Sequence, residues 1–154
     1  MRRIIFFLIS VLVFAGCQSS SQVGSEHKKI EARHLILKGL EDINNKNIKR
    51  SIIDLNEAIK ANPSELEAFI LLGQVLLREG QAEQASDVFM YAAHIFPNNG
   101  TVFYMWAIAN NAAGKKREAL EAAHLSAEIF SKKKTEEVYL NGMYMAMILW
   151  RGIS

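Results

Sequence analysis

One cysteine and two prolines are all that the 154 residues hold of either type. A single cysteine excludes an internal disulfide framework and a Cys-rich zinc site. Two prolines and nine glycines leave little to interrupt regular structure. An excess of one charge is missing too, since 18 Lys and Arg face 16 Asp and Glu. Arg2 and Arg3 alone account for the formal +2, so the basic pI gives no reason to expect a nucleic-acid partner. His27, His34, His94 and His124 are scattered and form no HExxH-type ligand pair. No Gly-rich phosphate loop and no Ser or Cys in a known nucleophile motif is present. With no catalytic constellation an enzyme is the last of the readings, and neither a metal nor a cofactor is expected.

What is abundant is apolar and helix-forming. Half the residues are hydrophobic, and Ala, Leu, Ile, Glu and Lys dominate, most of them good helix formers. The length suits one domain.

The N-terminus has the order of an export signal. Arg2 and Arg3 are followed by an apolar run from Ile4 to Phe14, broken only by Ser10, and then by small Ala15 and Gly16. The run falls short of the about 20 residues that a spanning helix needs. Residues 1–16 therefore read as a signal peptide. The stretch "VFAGC" resembles a bacterial lipobox: Ala15, Gly16 and Cys17 match it, and Phe14 stands where Leu is usual. The resemblance implies cleavage between Gly16 and Cys17, a diacylglycerol thioether on Cys17, and acylation of the new amine. Several acyl chains make a stable anchor where one does not. Cys17 is then a lipid carrier, and this covalent lipid takes the place of a cofactor. In lipoproteins of this type an Asp after the Cys goes with retention in the inner membrane. Gln18 here points to the outer membrane, facing the periplasm. "QSSSQVGS" after Cys17 buries nothing, so 17–26 reads as a lipidated Cys with a flexible tether.

The remainder carries a repeat. In 66–99, Phe69, Leu72, Gly73 and Leu76 lie on one face of a helix, and a second periodic run holds Ala85, Phe89 and Ala92 before Pro97. This resembles the tetratricopeptide repeat (TPR), W-x2-L-G-x2-Y, then A-x3-F, A and P. Shifted by 34 residues, 32–65 shows Leu35, Gly39, Ser51, Leu55, Ala58 and Pro63, with Lys38 and Asp42 out of pattern. In 100–133 stand Phe103, Trp106, Ala107, Ala119 and Ala123, with Asn110, Ser126 and Ser131 departing. Small Gly73 and Ala85 are expected to let two helices approach closely. Pro63 and Pro97 are expected to end the second helices of the first two repeats, because proline lacks an N–H and disfavours helix before it.

The expected fold class is therefore all-α: an α-solenoid of about three TPR helix-turn-helix repeats over 27–134, plus a capping helix and tail over 135–154. Helices are expected over 27–44, 47–61, 64–79, 82–96, 99–113, 115–131 and 135–150.

The TPR resemblance also implies a concave groove lined by the first helix of each repeat. Carried over by position, one column is Ile36, Ile70 and Tyr104, and the next is Leu40, Gln74 and Ile108. Tyr139 and Met143 continue both columns on the last helix, and Arg33, Glu67, Arg78 and Asn111 add polar groups. Such a surface fits an apolar or amphipathic peptide, although helical apolar stripes also serve as plain core. Family members that clamp a C-terminal carboxylate use Lys and Asn at these places. Ile36, Leu40, Ile70 and Tyr104 stand there instead, so that clamp is not expected.

The last helix is apolar on every side in "MYMAMILW", with Met145, Met147, Leu149 and Trp150 as a candidate patch. Either the groove covers it, or it serves a partner or self-association into a homo-oligomer. Lys115-Lys116-Arg117 and Lys132-Lys133-Lys134 read as solvated turns. Together these features describe a membrane-anchored interaction scaffold or adapter in bacterial envelope assembly, for example pilus or secretion-system biogenesis. The alternative is an adapter that docks peptidoglycan hydrolases or proteases. Partners would be other envelope proteins, met through the groove or the C-terminal helix, with the lipid holding the membrane.

Overall fold

Left-handed backbone recurs every 34 residues: Lys46 (φ 61°), Gly80 (φ 73°) and Gly114 (φ 76°). Each sits in the turn between the two helices of a repeat. After each, an amide reaches back five residues along the helix end: Asn47 N to Asp42 O at 2.8 Å, Gln81 N to Leu76 O at 2.8 Å, and Lys115 N to Asn110 O at 2.9 Å. This is the Schellman closure, which satisfies carbonyls that a helix end leaves unpaired. The sequence period is thus a period of the backbone itself.

The computed structural model describes residues 24–132. Six helices cover them: α1 over 24–44, α2 Ile48–Ala61, α3 Leu66–Arg78, α4 Ala82–Ile95, α5 Gly100–Ala112 and α6 Lys116–Lys132. No strand occurs among the described residues. The expected boundaries differ by no more than a few residues. The largest difference is at α1, which already includes residues 24–26, so the stretch read as tether up to residue 26 ends earlier. Helix formers Glu26, Lys28 and Lys29 extend α1 backward and outweigh Gly24 and Ser25. The signal segment with Gly16, Cys17 and the expected capping helix with Tyr139, Met143, Met145, Met147, Leu149 and Trp150 lie outside the described residues.

Consecutive helices pack on each other, α2 on α3, α3 on α4, α4 on α5 and α5 on α6, and α3 also touches α5. This contact order is that of a solenoid, in which each pair buries its apolar face against the next. The main core runs through Leu55, Ala58, Phe69, Leu72, Phe89, Ala92 and Val102. A second cluster of alanines, Ala107, Ala119, Ala122 and Ala123, joins α5 to α6.

The close approach expected at Gly73 and Ala85 brings in a third residue. Gly73 lies under the ring of Phe89, whose atoms occupy the space a Cβ would need. Gly39 is held against Leu55 in the same way, with Leu55 Cγ 2.9 Å from where a Cβ would stand. In the third repeat the equivalent places hold Ala107 and Ala123, both in the α5–α6 cluster. A small side chain across the gap leaves room for a methyl.

Each departure from the repeat pattern has a polar partner. Lys38 Nζ donates to Asp54 Oδ1 at 2.8 Å. Asp42 accepts from Asn47 Nδ2 at 3.3 Å and lies 3.7 Å from Arg50 Nε. Ser86 Oγ donates to Asn110 Oδ1 at 2.7 Å and accepts from Trp106 Nε1 at 3.3 Å. Ser126 Oγ donates to the Gly100 carbonyl at 2.9 Å. Buried polar groups that find such partners avoid the desolvation cost of standing alone.

Candidate partner-binding groove

The groove is built from α1, α3 and α5, the first helices of the three pairs. Their closing turns are identical, so residues 34 apart take equivalent places. Ile70, Tyr104 and Ile108 are half-buried, as is Leu40, while Gln74, Arg78 and Asn111 are exposed. The arrangement is a partly covered apolar surface with polar heads beside it, which suits a peptide with apolar anchors.

Ile36 is the exception. It is only 3% exposed and belongs to the main core. The sequence reading placed it in the groove column, but here it forms floor, not contact surface. Leu35 and Leu40, themselves half-buried, pack against the core that holds it.

Above that floor a cleft of about 390 Å³ opens between α1 and the start of α3, lined by Arg33, Ile36, Leu37, Glu65 and Glu67. Arg33 Nε lies 3.4 Å from Glu65 Oε1. Arg33 is thus held across the mouth of the cleft, tying the first repeat to the second. Such an exposed pair adds little stability, so its consequence is positional.

Behind the groove, Asp54 of α2 is buried. Burial alone pushes its carboxyl up. The hydrogen bond from Lys38, one shared with Asp42, and the charges of Lys38 and Arg50 outweigh that and hold it below its usual value. These contacts fix α1 against α2 and therefore fix one wall of the groove.

The most exposed large hydrophobic side chains among the described residues are Ile30, Leu37, Ile53, Met90, Tyr91 and Leu125. None was among the groove residues expected from the sequence. Met90, Tyr91 and His94 of α4, with Phe103 and Trp106 of α5, line an open apolar cleft of about 460 Å³. Leu37 sits on the lip of the α1–α3 cleft, with Ile30 two turns before it. The spacing of these two apolar residues is visible in the sequence, but it falls outside the repeat pattern. Among the described residues, no helix is long and apolar enough to cross a membrane.

No protein-family model matches the chain, and no curated protein matches it in sequence. Solved structures do match. The first TPR of Spaghetti (RPAP3), bound to the HSP90 peptide SRMEEVD, superposes with a TM-score of 0.68 over 81% of this chain and 94% of that one, at 13% identity. PcrH, a Pseudomonas aeruginosa protein, in complex with the chaperone-binding region of PopD gives a TM-score of 0.69 over 79% and 92%, at 14% identity. The Sgt2 TPR domain from Aspergillus fumigatus gives 0.66 over 80% and 79%, at 17% identity. At these identities the likeness is one of fold. The chain has the TPR fold, an all-α solenoid of helix-turn-helix repeats.

Proposed function

We propose that this chain is a lipid-anchored adapter of the bacterial envelope that grips a peptide segment of another envelope protein in its groove. In this reading it serves the assembly of a larger envelope machine, such as a pilus or a secretion system. The observation that carries it is the pair of rows Ile70, Gln74, Arg78 and Tyr104, Ile108, Asn111. Both rows set half-buried apolar side chains beside exposed polar ones on adjacent helices, which is what an amphipathic peptide requires. Two structures of like fold carry a bound peptide or partner region, which supports the same use here. The groove lacks the Lys and Asn places of a carboxylate clamp, so an internal segment is the better ligand than a chain end. The anchor rests on Arg2, Arg3, the apolar run and the "AGC" tripeptide ending at Cys17.

Two experiments test the two halves. Crosslinking and pull-down from membranes should recover a partner with the wild type and lose it with Tyr104→Ala. Equal recovery from both removes the groove from the account. Cys17→Ser should abolish palmitate labelling and leave the uncleaved precursor, and labelling that persists sinks the anchor.

A further inference from the structure

α3 and α5 each have a helix packed behind them, α2 behind α3 and α4 behind α5. One flank of α3 carries Ala68, Leu71 and Val75, all buried or half-buried. On α5 the same places hold Val102, Met105 and Ala109, again buried or half-buried. On α1 they hold His34, Leu37 and Glu41, all exposed. Leu37 is 65% exposed, and Ile30 on the same flank is 62% exposed. Leu37 is thus exposed where the other two repeats cover the same place, and Ile30 adds a second exposed apolar side chain two turns before it. The stretch 17–23 ahead of α1, "CQSSSQV", is too polar to supply an apolar cover.

We infer that the occupant of this flank is a second copy of the chain, packed α1 against α1 in antiparallel orientation. The argument is self-complementarity. His27, Ile30, His34, Leu37 and Glu41 are spaced alternately by three and four residues, the stripe that lies along a helix–helix seam. When the stripe meets its own copy about a twofold axis near His34, Ile30 falls beside the second copy's Leu37, so the two exposed apolar pairs cover each other. In the same register His27 falls beside Glu41, and Glu31 beside Lys38, each pairing occurring twice by symmetry. Lys38 already donates to Asp54, but it is 39% exposed, and an ammonium has donors to spare. Parallel packing loses this match, because it sets Glu41 against Glu41 and Glu31 against Glu31. One helix pair buries less than the roughly 1,200–2,000 Å² of a standard interface. The dimer is therefore weak in solution and gains from confinement of both copies to one membrane surface. The flank lies beside the peptide groove, so pairing leaves the rows on α3 and α5 free.

The test is co-isolation of two differently tagged full-length copies from membranes, with helicity checked by circular dichroism. Wild-type copies should co-isolate. Leu37→Glu should lower recovery at least tenfold, while Met90→Glu on α4 should leave it unchanged. Glu41→Lys and His27→Glu should each weaken pairing with an identical copy. A Glu41→Lys copy mixed with a His27→Glu copy should recover it, because only the mixed pair sets Lys against Glu. Wild-type copies that do not co-isolate overturn the proposal. So does a Leu37→Glu variant that pairs like the wild type, or a mixed pair no better than either variant alone.

Discussion

Gly73 decides how closely α3 and α4 approach, because the ring of Phe89 fills the place of its missing side chain. Gly73→Ala should destabilise the protein by about 1–3 kcal/mol through overpacking, although alanine favours helix by about 1 kcal/mol. Urea denaturation of the full chain measures it. Adding Phe89→Ala should cost less in the Gly73→Ala background than alone, since the third repeat holds alanine at both equivalent places, Ala107 and Ala123. At this scale the sequence showed where small residues belong, but not what lies over them. The pattern lists types along one strand of text, and the ring at position 89 meets the glycine across two helices. The departures were legible as departures only. Asn110 and Ser86 lie 24 residues apart in sequence and 2.7 Å apart in space, a pairing that no local window contains.

Helix positions were the most legible feature, because proline, glycine and apolar periodicity all mark the same boundaries. Turn conformation followed the period even where the residue did not. Lys46 adopts the left-handed backbone that Gly80 and Gly114 adopt more easily. The join of α1 to α2 is the element-scale feature that pH should reveal. Asp54, buried and bonded to Lys38, has a lowered pKa in the fold. A carboxylate lowered in this way stabilises the fold above its ordinary value of 3.8, and that contribution is lost as pH falls through the depressed value. Stability should therefore fall below about pH 4. Asp54→Asn should flatten that acid limb in denaturation curves taken at pH 6 and pH 3. An unchanged slope would mean that Asp54 is not held as a carboxylate. The same reasoning shows why Lys38 and Asp42 looked like errors in the repeat: they exchange apolar packing for an ionic join between α1 and α2.

The whole molecule is a short solenoid, and its ends differ from its middle. A repeat pattern predicts what each helix does toward its neighbours. It does not tell which flank is left exposed, and the exposure of Ile30 and Leu37 is a property of the folded chain. It is equally weak on which side of a helix faces a ligand. Ile36 fits the groove column by counting and yet is core. Ile70, Tyr104 and Ile108 keep part of their surface open, and with Gln74, Arg78 and Asn111 they form the face on which the proposed function depends.

Photo-crosslinking from defined positions of the full chain in membranes tests that dependence most directly. A photoreactive residue would be placed at Gln74 or Asn111 in the groove, and at Asn56 or His124 on the second helices, all of them exposed. The account predicts a partner adduct from Gln74 and Asn111 that Tyr104→Ala removes, with none from Asn56 or His124. Adducts from Asn56 or His124, with none from the groove positions, would contradict it.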